Sequence, residues 1–203
     1  MKVNLTDKFV DEIFLIGKTA HNKEDVNQVI RCLLDYLGVT FAGAKILESK
    51  GLDIISKNKF NSESSFVIGL DRKSDLTTSI LLNGLFSHVA ELDDGTRFGM
   101  THPGSPIFSA LLPIAQSRNI KYNDFINGII VAYETSIRLA YAIQPSHYGL
   151  GYHPTSTCGS IGVSAGIATM LGLSKKQLKD ALSSAIISSA GSLKVIENSS
   201  QLK

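Results

Sequence analysis

Apolar residues recur at three- and four-residue steps along most of the chain, the spacing of helices that bury one face. Leu5, Phe9, Ile13 and Ile16 carry it over residues 5–19. Val26, Val29, Ile30, Leu33, Leu34 and Leu37 form a second stripe, with Gln28, Arg31 and Asp35 turned outward and Gly38 and Gly43 expected to loosen its end. A third helix is expected at about residues 45–57, on Leu47, Ile54 and Ile55. After the polar stretch NKFNSES, Phe66-Val67-Ile68 before Gly69 is the one short run that reads as extended. Ser74 is placed to cap a helix over residues 75–90 whose apolar side is Leu76, Ile80, Leu81, Leu85 and Val89.

Helical spacing resumes at Pro103 with Ile107, Phe108, Leu111, Leu112 and Ala115, and Pro113 is expected to kink this helix by removing a backbone donor. Asn123 can cap the next helix, which runs through Ile126, Ile129, Ile130, Tyr133 and Ile137 to about Ala142, with Glu134 and Arg138 on its polar side. Then the pattern changes: Gly159, Gly162, Ala165, Gly166 and Thr169 form a stripe of small residues, the surface against which another helix backbone can lie closely. This predicts a buried central helix ending at Gly172. Ser174 and Gln177 have the spacing of a capping box for a last helix through Leu178, Leu182 and Ile186, after which periodicity is lost. With no internal repeat and no convincing linker, residues 1–203 read as one mostly helical unit, an all-α fold.

Composition narrows the function. At 203 residues and 43% hydrophobic content the chain can bury one sizeable core. Its 20 basic and 18 acidic residues are scattered, without the basic stripe that nucleic acid or an anionic membrane requires. No apolar run is long enough to span a bilayer and the N-terminus lacks a signal-peptide core, so a soluble, cytoplasmic protein is expected. Cys32 and Cys158 have no metal-type spacing; Cys32 reads as a reduced structural thiol, and Cys158 as a conceivable nucleophile without an evident base.

The candidate chemistry sits in two loops. HVAELDDGTRFGMTHPG, residues 88–104, gathers two histidines, three carboxylates and an arginine between helices, and Gly95, Gly99 and Pro103-Gly104 keep it from being helical. GYHPTSTCGS, residues 151–160, repeats its histidine-proline step just before a helix. His102 and His153 can each serve as general acid or base, or simply cap the helix that follows. The two loops are expected to face each other across an anion-binding cleft, with helix N-termini supplying free donors. Glu91, Asp93 and Asp94 can orient an imidazole or form a solvated helix end. Arg97 and Lys203 can hold a substrate carboxylate. His21, His88, His147 and Tyr152 read as structural or exposed. No histidine pair has the i, i+4 spacing of a HExxH helix, and no metal site is expected.

The order HVAELDDG, THPGS, GYHPTSTCGSIGVSAGIATMLGLS resembles the N-terminal helical domain of the MmgE/PrpD family, from about Leu5 to the end of the chain. That resemblance implies an all-helical domain joined to a smaller α+β lid, commonly in a homodimer, and cofactor-free lyase or isomerase chemistry on di- and tricarboxylates. It includes 2-methylcitrate dehydratase and cis-aconitate decarboxylase. By position it implies catalytic roles for His102, His153, Glu91 and Lys203, and substrate contacts from Asp94 and Thr96, beside the carboxylate contact already expected of Arg97. Thr96 follows DDG where many relatives read DDT, and Lys203 is the last residue. Family members are far longer, so the lid domain is expected to be absent. The alternative is a truncated, inactive helical module that oligomerises or binds carboxylates.

Overall fold

A computed structural model describes residues 4–49, 64–70 and 72–194. Among these, the order is α1 (Leu5–Ile16), α2 (Lys23–Ser49), β1 (Ser65–Val67), β2 (Arg72–Ser74), α3 (Leu76–Val89), α4 (Gly104–Arg118), α5 (Tyr122–Ile143), α6 (Ser146–Gly149), α7 (Pro154–Met170) and α8 (Lys175–Ser188). The two short strands form an antiparallel hairpin, and the other elements among the described residues are helices, so the all-α expectation holds.

The pairing of α5 with α7 is the centre of the molecule, and the small-residue stripe is its cause. A Cβ on Gly166 would lie 2.6 Å from the Gly128 carbonyl oxygen, and one on Gly162 would lie 1.8 Å from Ser136 Oγ. The two backbones are therefore closer than any larger side chain permits. Around this pair, Phe108, Leu111, Ile129 and Met170 build the core shared with α2 and α4, while Val10, Ile13, Val131, Ala165, Leu178 and Leu182 seal α1 and α8 onto the other side. Ser174 and Gln177 make the expected capping box on α8, and Gly172 follows α7 at φ +66°. Ile186 is exposed.

Three expectations are corrected. α2 does not stop at its glycines but runs on to Ser49, absorbing the start of the third helix; the remainder of residues 50–57 lies outside the described residues. Gly43 is there for closeness, since a Cβ would meet the Phe86 carbonyl oxygen of α3 at 1.8 Å. The buried side of α2 accordingly carries Val29, Tyr36, Thr40, Ala44 and Leu47, and Leu34 is exposed. On α3 the cap is Asp75, which accepts from the Thr78 N–H, because Ser74 is the buried end of β2. The most buried side of α3 is Ser79, Leu82, Asn83, Phe86 and Ser87, beside the predicted stripe, of which Ile80, Leu85 and Val89 stay half-buried against the core and Leu81 is exposed. Polar groups face inward there because they have partners. Asn83 accepts from the Ile68 N–H (2.8 Å) and donates to the Phe66 carbonyl (3.1 Å), and Ser87 pairs with Ser105 (2.6 Å). Ile80, Leu81, Leu85 and Val89 also line an open cleft of about 630 Å³ against α7. α4 carries Pro113 within it, and the Pro113 carbonyl accepts from the Ser65 hydroxyl (2.9 Å).

These glycines differ in kind, and substitution separates them. Gly162→Val should destabilise the protein by about 1–3 kcal/mol through overpacking. Gly38, inside α2 with nothing within 4 Å of a built Cβ, should gain about 0.5–1 kcal/mol as Gly38→Ala. Urea denaturation of the two variants checks the opposite signs.

Candidate active site

The loop between α3 and α4 is built on Asp94. Its Oδ1 accepts from the Gly104 N–H and its Oδ2 from the Tyr133 hydroxyl, each at 2.8 Å. One carboxylate thus caps the N-terminus of α4 and anchors the loop to α5, where charge and helix dipole favour each other. Burial pushes the Asp94 carboxyl above the usual aspartate range, against the pull of its two donors, with the neighbouring Asp93 adding to the rise. Burial also pushes the Tyr133 hydroxyl far up, helped by the Asp94 charge, so Tyr133 remains a donor. The same Asp94 contributes its backbone carbonyl to His102, whose Nδ1–H donates to it at 2.8 Å. That bond requires a proton on Nδ1, and in the neutral ring it leaves Nε2 with its lone pair. The His102 side chain is 39% exposed, so Nε2 belongs to a ring that solutes can reach.

Asp93 turns the other way. Its side chain is only 3% exposed, and its Oδ2 accepts from His88 Nδ1–H at 2.6 Å while lying 3.7 Å from His102 Nδ1. The two imidazoles meet edge to face with centroids 5.4 Å apart.

The second loop meets the first through Thr155. The His102 backbone N–H donates to Thr155 Oγ1 at 3.0 Å, and the Thr101 hydroxyl lies 3.4 Å from the same oxygen. His153, two residues earlier, is the N-cap of α7 and is 8% exposed; its backbone N–H donates to the Gly191 carbonyl at 3.0 Å. The chain after α8 closes over this loop, with Tyr152 bridged to Ser192. His147 stacks on Tyr152 and bonds Thr157 Oγ1 at 2.8 Å; burial lowers its imidazole.

The residues singled out from the sequence therefore divide. His102, Asp94 and the His153 loop come together. Glu91 is exposed and adopts φ +54° just past the end of α3. Thr96 pairs with Thr101 across the neck of the loop (N–H to carbonyl, 3.0 Å), and Arg97 is exposed in the turn between them. Lys203 lies outside the described residues. The expectation of two free helix N-termini fails at α4, because Asp94 already occupies it. Cys158 is buried and its thiol is raised by desolvation, the opposite of an activated nucleophile. His88, structural or exposed by its sequence, is the largely buried partner of Asp93, and Tyr133 stands in the sequence only as part of an apolar stripe. The signal for His88 was present in its five-residue separation from Asp93, across a helix end. Nothing in the sequence pointed to Tyr133 or Thr155, since each becomes relevant only through tertiary approach. Among the described residues, no group of three or more His, Cys, Asp or Glu side chains is arranged to hold a metal ion, and no helix is long and apolar enough to cross a membrane.

The chain is thus an all-helical unit carrying two histidine loops, and its sequence is shared with known proteins. Residues 16–203 match the MmgE/PrpD N-terminal domain, and the chain belongs to that family. It is 29% identical over 193 residues to the cis-aconitate decarboxylase of Homo sapiens, a match covering 92% of this chain and 40% of that protein. The Mus musculus cis-aconitate decarboxylase is 29% identical over 162 residues, 77% of this chain and 33% of the relative. A cis-aconitate decarboxylase-like protein of Aspergillus oryzae is 27% identical over 133 residues, 62% of this chain and 28% of its own length. The chain thus spans well under half of each relative.

The environment of Asp94 makes a pH-dependent difference measurable. Its folded pKa is raised above the unfolded value, so its contribution to stability is full below the unfolded pKa and is lost as pH rises through the folded one. The stability of the wild type relative to Asp94→Asn should fall as pH rises from about 4 to 7, as read by urea denaturation at each pH. Tyr133→Phe, which removes one of the two donors to a buried carboxylate, should cost about 1–3 kcal/mol at neutral pH in the same measurement.

Proposed function

We propose that this chain is the helical N-terminal part of a lyase acting on a di- or tricarboxylate, with His102 handling the proton alpha to a substrate carboxylate. The observation that carries the reading is the bond from His102 Nδ1–H to the Asp94 carbonyl on a half-exposed ring. It supports a fixed tautomer with Nε2 free, which is what a general base requires. In a dehydration Nε2 removes that proton as hydroxide departs from the adjacent carbon. In a decarboxylation the protonated ring returns a proton to the carbanion left by carbon dioxide. The names of the three relatives favour decarboxylation of a cis-aconitate-like acid over the dehydration of a 2-methylcitrate-like one.

Around His102, His153 is proposed as the second acid or base, entering from the loop that Thr155 ties to it. Glu91 and Asp94 are proposed to orient the loop, Arg97 and Lys203 to neutralise substrate carboxylates, and Thr96 to contact substrate from the loop's neck. The reaction as proposed needs no cofactor. A homodimer in the cytoplasm, with a lid supplied by further sequence, completes the reading.

His102→Ala in the whole protein should lower kcat on cis-aconitate or 2-methylcitrate by about 100-fold or more while leaving the circular dichroism spectrum unchanged. Full turnover in a folded His102→Ala variant would remove His102 from the chemistry. Tight tricarboxylate binding by a wild type that turns nothing over would favour the inactive carboxylate-binding module instead.

A further inference from the structure

The Asp93 carboxylate has two imidazoles competing for it. Its Oδ2 is 2.6 Å from His88 Nδ1 and 3.7 Å from His102 Nδ1. His102 does not give its N–H to this carboxylate but to the neutral Asp94 carbonyl at 2.8 Å. An ionised acceptor makes roughly twice as strong a hydrogen bond as a neutral one, so the choice requires something that holds Asp93 back. His88 is positioned to do so: it comes from the last turn of α3, its side chain is only 12% exposed, and its bond to Asp93 is short. Its ring also stands edge to face against that of His102, limiting how His102 can turn.

We infer that His88 and Asp93 are a positioning pair for His102, in which His88 holds the Asp93 carboxylate one step out of hydrogen-bond reach so that His102 keeps its Nδ1–H on the Asp94 carbonyl and presents Nε2. The groups that face His102 in this arrangement are His88 from α3 and Asp93 and Asp94 from its own loop. While His102 is neutral, the pair decides which acceptor its Nδ1–H meets, and so how the ring is turned. Once His102 carries a proton, the Asp93 charge stands close enough to stabilise it without any rearrangement. This inference deepens the lyase reading and rests on it for its effect on turnover, but the geometry of His102 can be tested without turnover.

Asparagine and glutamine separate positioning from packing. The Nδ2 of asparagine overlays histidine Nδ1, whereas the Nε2 of glutamine overlays histidine Nε2 and cannot reach Asp93 in the same way. His88→Ala in the whole protein should lower kcat by up to about 100-fold, the cost of roughly an ångström of misplacement, with little change in KM. His88→Asn should recover most of that loss and His88→Gln should not. A merely structural role would rank the variants by how well they fill the site, with glutamine ahead of asparagine. In parallel, 15N NMR of labelled histidine, with the His102 signals assigned by their loss in His102→Ala, should report the Nδ1–H tautomer in the wild type and in His88→Asn. In His88→Ala the His102 Nδ1–H signal should move downfield as its bond passes from the Asp94 carbonyl to the Asp93 carboxylate. An unaltered His102 signature in His88→Ala, or a His88→Asn variant as slow as His88→Ala, overturns the inference. If His88→Ala fails to fold, Asp93→Asn, which keeps the volume and removes the charge, should show the same kcat loss, and wild-type kcat there overturns it equally. Full turnover in His102→Ala would instead refute the lyase assignment, and the His102 Nδ1–H signal would still decide the positioning pair.

Discussion

Burial of one carboxylate, that of Asp94, is the constraint from which the site follows. Removing that group from water is unfavourable unless donors replace the lost hydration. The two it finds, the Gly104 N–H and the Tyr133 hydroxyl, come from different helices. Because both must be satisfied at once, the loop from Ala90 to Pro103 has its position set relative to α4 and α5. The Asp94 carbonyl then stands where His102 can donate to it. A side chain serving the fold thereby aims a backbone group serving the imidazole.

That arrangement depends in turn on how closely the helices lie. Tyr133 reaches Asp94 from α5, and Thr155 reaches the His102 backbone from α7, so the distance between α5 and α7 sets the distance between their contributions. Gly128, Gly162 and Gly166 set that distance by leaving out side chains that the backbones would otherwise meet. A packed core that resists compression carries this precision to the loops at its end. The paired histidines of the first loop then sit on scaffolding held from three sides.

Much of the fold was legible as periodicity. The helices over residues 104–118, 122–143, 154–170 and 175–188 lie where three- and four-residue spacing put them, and the Ser174–Gln177 box was visible as two letters at the right separation. Where the reading went astray, a local rule met a tertiary one. Gly38 and Gly43 looked like the end of a helix, because glycine weakens helices in isolation. Gly43 instead permits α3 to approach α2, and the tertiary contact outweighs the local cost. The apolar stripe of α3 looked like the whole of its core face, yet Ser79, Asn83 and Ser87 are buried more deeply beside it, because hydrogen bonds to the hairpin and to Ser105 made polar burial affordable.

Within the site the division is equally physical. His102 and His153 stood out because a histidine followed by proline at a helix start is a local pattern, and Asp94 because two adjacent acids follow a helix end. His88, Tyr133 and Thr155 did not, since a histidine in a helix, an aromatic in an apolar stripe and a threonine after proline look ordinary until the chain folds. The sequence by itself determined the helical class, the family and the two loops, all of which are written in residues near one another along the chain. Only the tertiary structure decided which carboxylate caps α4, which histidine Asp93 holds and which tautomer His102 adopts. Those outcomes depend on donors and acceptors brought within about 3 Å of each other from separate helices, where hydrogen bonds form or fail.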